Sequence, residues 1–366
     1  MTNPAVKVGL LGANGMVGQQ AAAWLQQQSI SLRLGVRQPE RYPLDTLAGS
    51  AHLQAVDIND PRSLLRFCQG CQLVLNCAGP SAWLGLPVAE AAAMAKAHLV
   101  DAFGGHWLAE QLQSISAPGL LQVTGAGVFP GISERLPRLL AEQNFDQVNS
   151  LLTSAGGLES CSRAGGIDLI YSTLAGYGSG AGEVRYQLDG FPAGICAQPY
   201  QSEDFQQLVH ELGCPQAQWY SVFSSTQVPE AIGRAVQQVS ASSERPSPQA
   251  LEQATTELIR VAKQQLAGRQ PWYRMVVEIS GQYWGEPRRQ RALLRSQNSY
   301  GLTGLMAALT AVSVLSGEHR PGFYRAQQLV AAPMLLNALQ QSAEHTLDIV
   351  ELPVDTDSTV IEEGCL

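Results

Sequence analysis

A chain of 366 residues with 45% hydrophobic and 15% charged side chains is long enough for two domains and too apolar for disorder to be its default state. Its formal charge of −8 excludes the basic field that a nucleic-acid partner requires, since only Arg288, Arg289, Arg291 and Arg295 cluster. Seven cysteines, an odd number, suit reduced thiols rather than a disulfide framework.

The first residues, MTNPAV, lead straight into an apolar strand at Lys7–Leu11, without the basic segment or small-residue cleavage site of a secretory leader. The cytoplasm is therefore the expected location. Five further strand-like runs follow at Ser31–Val36, His52–Val56, Leu73–Asn76, His98–Val100 and Leu120–Val123. Between them Val17–Gln28, Pro61–Phe67, Val88–Ala97 and Trp107–Ser114 carry helical spacing. This alternation predicts an α/β fold, a doubly wound parallel Rossmann sheet over residues 1–127. Cys68 and Cys71 form a C-x-x-C, but no second pair of ligands follows at a matching spacing, and no metal is expected.

Beyond residue 127 the texture changes. Phe129–Asn144 reads as a helix, Val148–Thr153 as a strand, and Gly156–Gly182 is rich in glycine and small residues. Ser240–Gln249 looks like a surface loop before a helix at Ala250–Leu266. The runs Arg274–Gly281 and Arg288–Arg295, joined through Gly285-Glu286-Pro287, predict a long antiparallel hairpin. Residues 128–301 are thus expected to form an inserted α+β substrate and dimerisation domain. Left unpaired, the hairpin would put Val276, Leu293 and Leu294 on a bare sheet edge, the ground for expecting a homodimer. The uncharged stretch Gln297–Gly317 is interrupted by Asn298, Ser299, Thr303, Thr310 and Ser313, so it predicts a buried helix at Leu302–Leu315 rather than a membrane span. Residues 302–342, including a second helical run at Gln327–Ser342, are expected to pack back on the first domain, and 343–366 to form an acidic, partly ordered tail.

The first strand ends in the turn Gly12-Ala13-Asn14-Gly15-Met16-Val17-Gly18 and then a helix, the setting in which backbone N–H groups receive a pyrophosphate. Gly12 suits the tight turn, Gly15 the close approach of a ligand, and Gly18 the packing of helix on strand. Where a carboxylate would hold the ribose hydroxyls of NAD, the second strand instead ends in Gly35-Val36-Arg37-Gln38, with Arg41 beyond. A guanidinium there suits the 2′-phosphate of NADP. Asp57 is placed either to receive the adenine amino group or to cap the helix beginning at Pro61.

The segment Leu73–Gly105, LVLNCAGPSAWLGLPVAEAAAMAKAHLVDAFGG, resembles the saccharopine dehydrogenase family in its apolar strand, Asn-Cys-x-Gly-Pro, Pro-Val-x-x-Ala and later Val-Asp. Gln122–Arg135 (QVTGAGVFPGISER) is similar to the family's Gly-x-x-Pro-Gly turn, and Ser154-Ala-Gly-Gly-Leu158 to the Ser-x-x-Gly-Gly-Leu strand of its saccharopine reductase branch. The resemblance covers about the first 160 residues. It implies NAD(P)-linked chemistry on an imine or secondary amine, with Asn76, Ala78, Gly79 and Pro80 at the nicotinamide ribose and Asp101 at the catalytic crevice. It also implies a far wall made by Gly127, Pro130 and Gly131. Two features depart from that branch: the middle domain is shorter, and Lys7, Lys96 and Lys263 are the only lysines, which leaves no good candidate for a catalytic lysine.

His98 and His106 flank Asp101, and a histidine–carboxylate pair could relay a proton, although His98 sits inside a strand. Asp101 and His106 are the catalytic candidates. Arg163 is a candidate carboxylate anchor, Tyr171 and Tyr177 are candidate donors, and Ser154 and Gly157 are candidate substrate-wall residues. No Tyr-x-x-x-Lys, G-x-S-x-G or H-E-x-x-H occurs, which removes the short-chain dehydrogenase, serine hydrolase and zincin readings. The expected protein is an NADP-dependent oxidoreductase acting on the C=N or C=O carbon of a small or carrier-tethered substrate. A non-catalytic dinucleotide sensor and a trans-acting enoyl reductase are the alternatives.

Overall fold

The computed structural model describes residues 6–174, 178, 180, 182–240 and 247–354. Tyr177, positions 241–246 of the expected Ser240–Gln249 loop and the tail beyond 354 lie outside the described residues. In chain order the first unit contains β1 (Val6–Leu11), α1 (Met16–Gln27), β2 (Leu32–Val36), β3 (His52–Ala55), α2 (Pro61–Cys68), β4 (Cys71–Asn76), α3 (Ser81–Met94), β5 (His98–Asp101), α4 (His106–Ser114) and β6 (Leu121–Thr124). The chain continues through α5 (Ile132–Asn144), β7 (Gln147–Leu158), α6 (Arg163–Leu174), β8 (Cys196–Pro199), α7 (Glu203–Glu211), β9 (Gln216–Phe223), α8 (Gln227–Ser240), α9 (Pro248–Leu266), β10 (Trp272–Tyr283) and β11 (Glu286–Ser296). It ends with α10 (Ser299–Leu315), β12 (Gly322–Arg325), α11 (Ala326–Leu329), α12 (Ala332–Gln341) and β13 (His345–Glu351).

Two sheets organise the chain. The first is parallel, in the order β12-β6-β5-β4-β1-β2-β3, so the chain reverses direction across the sheet between β1 and β4. This is the doubly wound arrangement, and its switch point opens a crevice at the carboxyl ends of β1 and β4. The strands are nearly continuous apolar runs because both faces are covered: Val8, Leu10, Leu73, Leu75 and Val100 meet α1 and α10, while Leu11, Val74 and Leu99 face the α2–α4 side. The helix α10, buried almost all round, packs on α1, β4 and β5, which explains its lack of charge. No helix among the described residues is long and apolar enough to cross a membrane.

The second sheet runs β13-β11-β10-β7-β9-β8, with β7 and β9 parallel and the other pairs antiparallel. The β10–β11 hairpin turns at Trp284-Gly285, one residue earlier than the expected joint. Both residues have positive φ, 53° and 81°, as a tight two-residue turn matched to strand twist requires. The bare edge expected for this hairpin is absent: β10 lies between β7 and β11, and β11 is covered by β13. Val276 and Leu294 are buried, and Leu293 is partly covered by the loop at Gly190, so the ground for a homodimer is removed.

The first part of the expected acidic tail holds one further strand. Residues 345–351 form β13, fastened by ion pairs from Arg288 to Glu351 and from Arg295 to Asp348. The remaining arginines of the cluster are matched too, Arg289 with Glu278 at 3.0 Å and Arg291 with both Glu278 and Asp189. Two further elements differ from expectation. The helix α3 begins at Ser81, seven residues before the expected Val88 and with Pro87 inside it, and α6 occupies the small-residue segment. Glycine in α6 has a packing cause, since a Cβ at Gly166 would stand 2.7 Å from the Thr255 methyl of α9.

Candidate active site

A crevice of about 1260 Å³ runs from the ends of β1 and β2, over β4 and β5, to β7, β9 and the starts of α6 and α10. That exceeds the about 300–1,000 Å³ of a single ligand pocket, so it has room for a dinucleotide and a second molecule.

The cofactor end is built from the glycine turn. Gly12 has φ +75°, and a Cβ there would lie 2.7 Å from the amide nitrogen of Ala78, so both conformation and space demand glycine. A Cβ on Gly18 would stand 2.2 Å from the Gly12 carbonyl oxygen, which places this glycine in the strand–helix contact and outside the crevice. Gly15 differs: it lines the crevice, and its Cβ would meet only the Gly12 oxygen, at 3.3 Å. It is also the N-cap of α1 and offers no side-chain bond, which leaves first-turn N–H groups for an anion. Asn14, Met16 and Val17 line the same end. Arg37 and Arg41 line it too, exposed and without a side-chain hydrogen bond or ion pair to a described residue. Asp57 lies in the crevice wall and accepts from the Asn59 backbone N–H at 3.0 Å, while Asp60, not Asp57, caps α2. These residues fit a phosphorylated dinucleotide: a cradle that side chains would fill, an open helix terminus and two free cations.

The middle of the crevice is set by register. Leu11, Asn76 and Asp101 sit side by side at the ends of β1, β4 and β5. Asn76 Nδ2 donates to Asp101 Oδ2 at 2.6 Å, Ser81 Oγ donates to Oδ1 at 3.2 Å, and the Phe103 N–H donates to Oδ1 at 3.0 Å. Asn76 Oδ1 in turn accepts from the Ala78 N–H at 3.1 Å. Asp101 is 1% exposed, and burial raises its pKa against the lowering effect of those donors. Its carboxylate therefore holds Asn76, Ser81 and the turn at Ala78–Pro80 in place. His106 opens α4, and its side chain is not among those described. His98 is no relay partner, because its Nδ1 accepts the Leu121 N–H at 2.9 Å and ties β5 to β6.

Two carboxylates unnoticed in the sequence reach across from the second unit. Asp168 of α6 accepts from the Ser81 and Ala82 N–H groups at 3.0 and 3.2 Å and so caps α3. Burial, with Asp101 nearby, pushes its pKa up to about 7. Glu159, just past β7, accepts from the Ser299 N–H at 2.7 Å and its hydroxyl at 2.9 Å, at the start of α10, and burial raises its pKa as well. An acid inside the apolar run Gly-Ile-Asp-Leu-Ile was the available signal for Asp168; nothing local singled out Glu159, Ser299 or Tyr300.

The remaining expected residues divide. Asn76, Ala78, Gly79, Pro80, Gly157 and Arg163 line the crevice. Gly127, Gly131, Ser154 and Tyr171 do not, and Pro130 lines a separate cavity of about 110 Å³. Gly131 has φ +135°, and a Cβ there would lie 2.2 Å from the Gly127 carbonyl oxygen, so this turn is a buried support. It presents Val128 and Phe129 to the crevice, with Phe129 stacked on Trp219 at 4.9 Å. Tyr171 packs instead among the residues of α6, α8 and α9. Arg163 is bound to Glu252, with 2.8 Å from Nε, and lies over Trp83.

Residues 8–117 match the family described as Saccharopine dehydrogenase NADP binding domain. The chain is similar to the apo histidine-tagged saccharopine dehydrogenase (L-Glu forming) from Saccharomyces cerevisiae, 13% identical with a TM-score of 0.65, over 95% of this chain and 100% of that one. DAP dehydrogenase from C. glutamicum is also 13% identical, with a TM-score of 0.49 over 93% of this chain and 100% of that one. No curated protein matches the chain. The parallel sheet, the glycine turn and the family match define an NADP-dependent oxidoreductase, and its cofactor is NADP. Residues 8–117 are similar to the NADP-binding domain of saccharopine dehydrogenases, and the fold of the whole chain is saccharopine dehydrogenase-like.

Proposed function

We propose that the crevice reduces a C=N or C=O carbon of a small or carrier-tethered substrate, with the dinucleotide on residues 1–127 and the substrate against residues 128–301. The observation that carries this reading is the continuity of one crevice from the uncapped start of α1, past Asp101 and Ser81, to walls supplied by β7, β9 and α6. A sensor would need only the first of these stretches, which disfavours that alternative.

When bound, NADPH would supply the hydride, and solvent the proton that completes reduction of the C=N or C=O bond. Gly12, Asn14, Gly15, Met16 and Val17 would hold its pyrophosphate, Arg37 its 2′-phosphate, and Asn76, Ala78, Gly79 and Pro80 its nicotinamide ribose. Asp101 positions Asn76 and Ser81 rather than meeting the substrate, because its oxygens already accept three hydrogen bonds. Val128, Phe129 and Phe223 line the crevice with apolar surface that excludes water from the reacting carbon. The test is NADPH oxidation, followed by absorbance, against a panel of cyclic imines, secondary imines and ketones. Turnover of none of them, by protein that binds NADPH, would overturn the reading.

A further inference from the structure

The charges around the substrate end of the crevice are unevenly signed. Among the described residues that line it the cations are Arg37, Arg41 and Arg163, with no lysine or histidine. The first two belong to the cofactor end. Arg163 stands at the rim, its side chain 55% exposed and its charge already matched by Glu252. Lining the interior are three carboxyl groups, Asp101, Glu159 and Asp168, each of which accepts hydrogen bonds from protein donors.

The rest of the wall is apolar, with Trp83, Phe129, Val222, Phe223, Leu258 and Tyr273 prominent, interspersed with uncharged hydroxyls. Carboxylates brought into such a wall lose their hydration, find no free cation and stand near like charges. A neutral or positively charged group meets none of these penalties, and an apolar body gains from the aromatic surface.

Resting on the proposed reductase reading, we infer that the substrate presents its reacting carbon in a neutral or cationic group on an apolar body. An aryl- or alkyl-substituted cyclic imine and its iminium ion have this chemistry. Amino di- and tricarboxylates do not.

The experiment is calorimetric titration, at pH 8 where Asp168 is ionised, of the NADP+-loaded protein with 2-phenyl-1-pyrroline and, separately, with 2-oxoglutarate. The pyrroline is expected to bind at least about tenfold more tightly. Equal or tighter binding of 2-oxoglutarate, or no binding of the pyrroline, overturns the inference. In Glu159→Gln the preference is expected to shrink several-fold as one carboxylate is neutralised, and Asp168→Asn gives the same reading if the first variant does not fold. A preference unchanged in both variants refutes the electrostatic origin. Binding is read without turnover, so the two levels separate: a pyrroline that binds but is not reduced by NADPH counts against the reaction, and a tighter dicarboxylate counts against the substrate class alone.

Discussion

The two ends of the crevice handle helix termini in opposite ways. At the cofactor end α1 starts on Gly15 with no side-chain cap, and the two arginines that line this end have no hydrogen bond or ion pair to a described residue. At the substrate end α3 and α10 are capped by Asp168 and Glu159, carboxylates from the second unit, and the single arginine is ion-paired. Each helix start is a place where an anion is stabilised. The chain has filled two with its own carboxylates, which also pin the units together, and has left one vacant. An incoming anion therefore has one favoured address, and the pyrophosphate of a dinucleotide fits it.

The largest effect expected from this difference separates two glycines of the same turn. Gly15→Val should abolish NADPH binding in a protein that still folds, because the added side chain enters the open crevice. Gly18→Val should fail to fold, because its Cβ would stand 2.2 Å from backbone. Fluorescence titration with NADPH and circular dichroism melting check both. Undiminished binding by Gly15→Val would break the assignment of the vacant terminus.

The cofactor end was largely legible in the sequence, and the reason is local: a strand, three glycines at fixed spacing and a helix carry their geometry within a few residues. The substrate end was legible only where the chain repeats such patterns. Gly157 lines the crevice, but Asp168 and Glu159 act on helices 87 and 140 residues away in sequence, and no local spacing encodes that partnership. The same long range explains the misplaced start of α3, whose first turn is supported from α6, and the missed β13, whose acidic residues pair with arginines of β11. Gly127 and Gly131 were read as crevice residues because a glycine signature marks close approach without saying what approaches. Here it is backbone.

A second prediction probes the network at the centre. Asp101→Asn replaces an acceptor of the Asn76 amide with a group that can donate to it, so Asn76 and Ser81 lose their common anchor. Loss of a charged hydrogen bond of about 1.5–3 kcal/mol corresponds to a fall in kcat on the order of tenfold to a hundredfold. NADPH affinity should change far less, and an equal fall in both would show that Asp101 only supports the fold.

Arg37→Ala sharpens the account of the cofactor end. Arg37 makes no hydrogen bond or ion pair to a described residue, so stability should be unaffected. A guanidinium bonded to a 2′-phosphate contributes a similar about 1.5–3 kcal/mol, so the wild type should prefer NADPH over NADH by roughly tenfold to a hundredfold. Dissociation constants for both cofactors, in both proteins, give the answer. The mutant should lose the preference through NADPH alone, and a preference that survives would move the phosphate site to Arg41.

The smallest effect concerns the pinning carboxylate and follows from the sign of its titration. In the unfolded chain an aspartate releases its proton near pH 4, whereas Asp168 in the folded protein keeps it up to about 7. Between these values the folded state binds the extra proton, so the contribution of this group to stability falls as pH rises from about 4 to about 7 and is constant above. Below that window Asp168 is protonated in both states and its burial carries no charge penalty. Asp101, Glu159 and Glu134 are also raised by burial and add slopes of the same sign, so the wild-type dependence is a sum. Asp168→Asn cannot titrate and should make that dependence shallower by the share of one proton. It also forfeits one of two N–H acceptors at the start of α3, so near pH 5 it should melt below the wild type. The gap should narrow or reverse by pH 8, where the wild type carries a buried charge and the variant does not. Melting temperatures of both proteins at several pH values between 5 and 8 provide the measurement. A constant gap across that range would mean that Asp168 is ionised throughout and that the bond to α3 is a charged one at every pH.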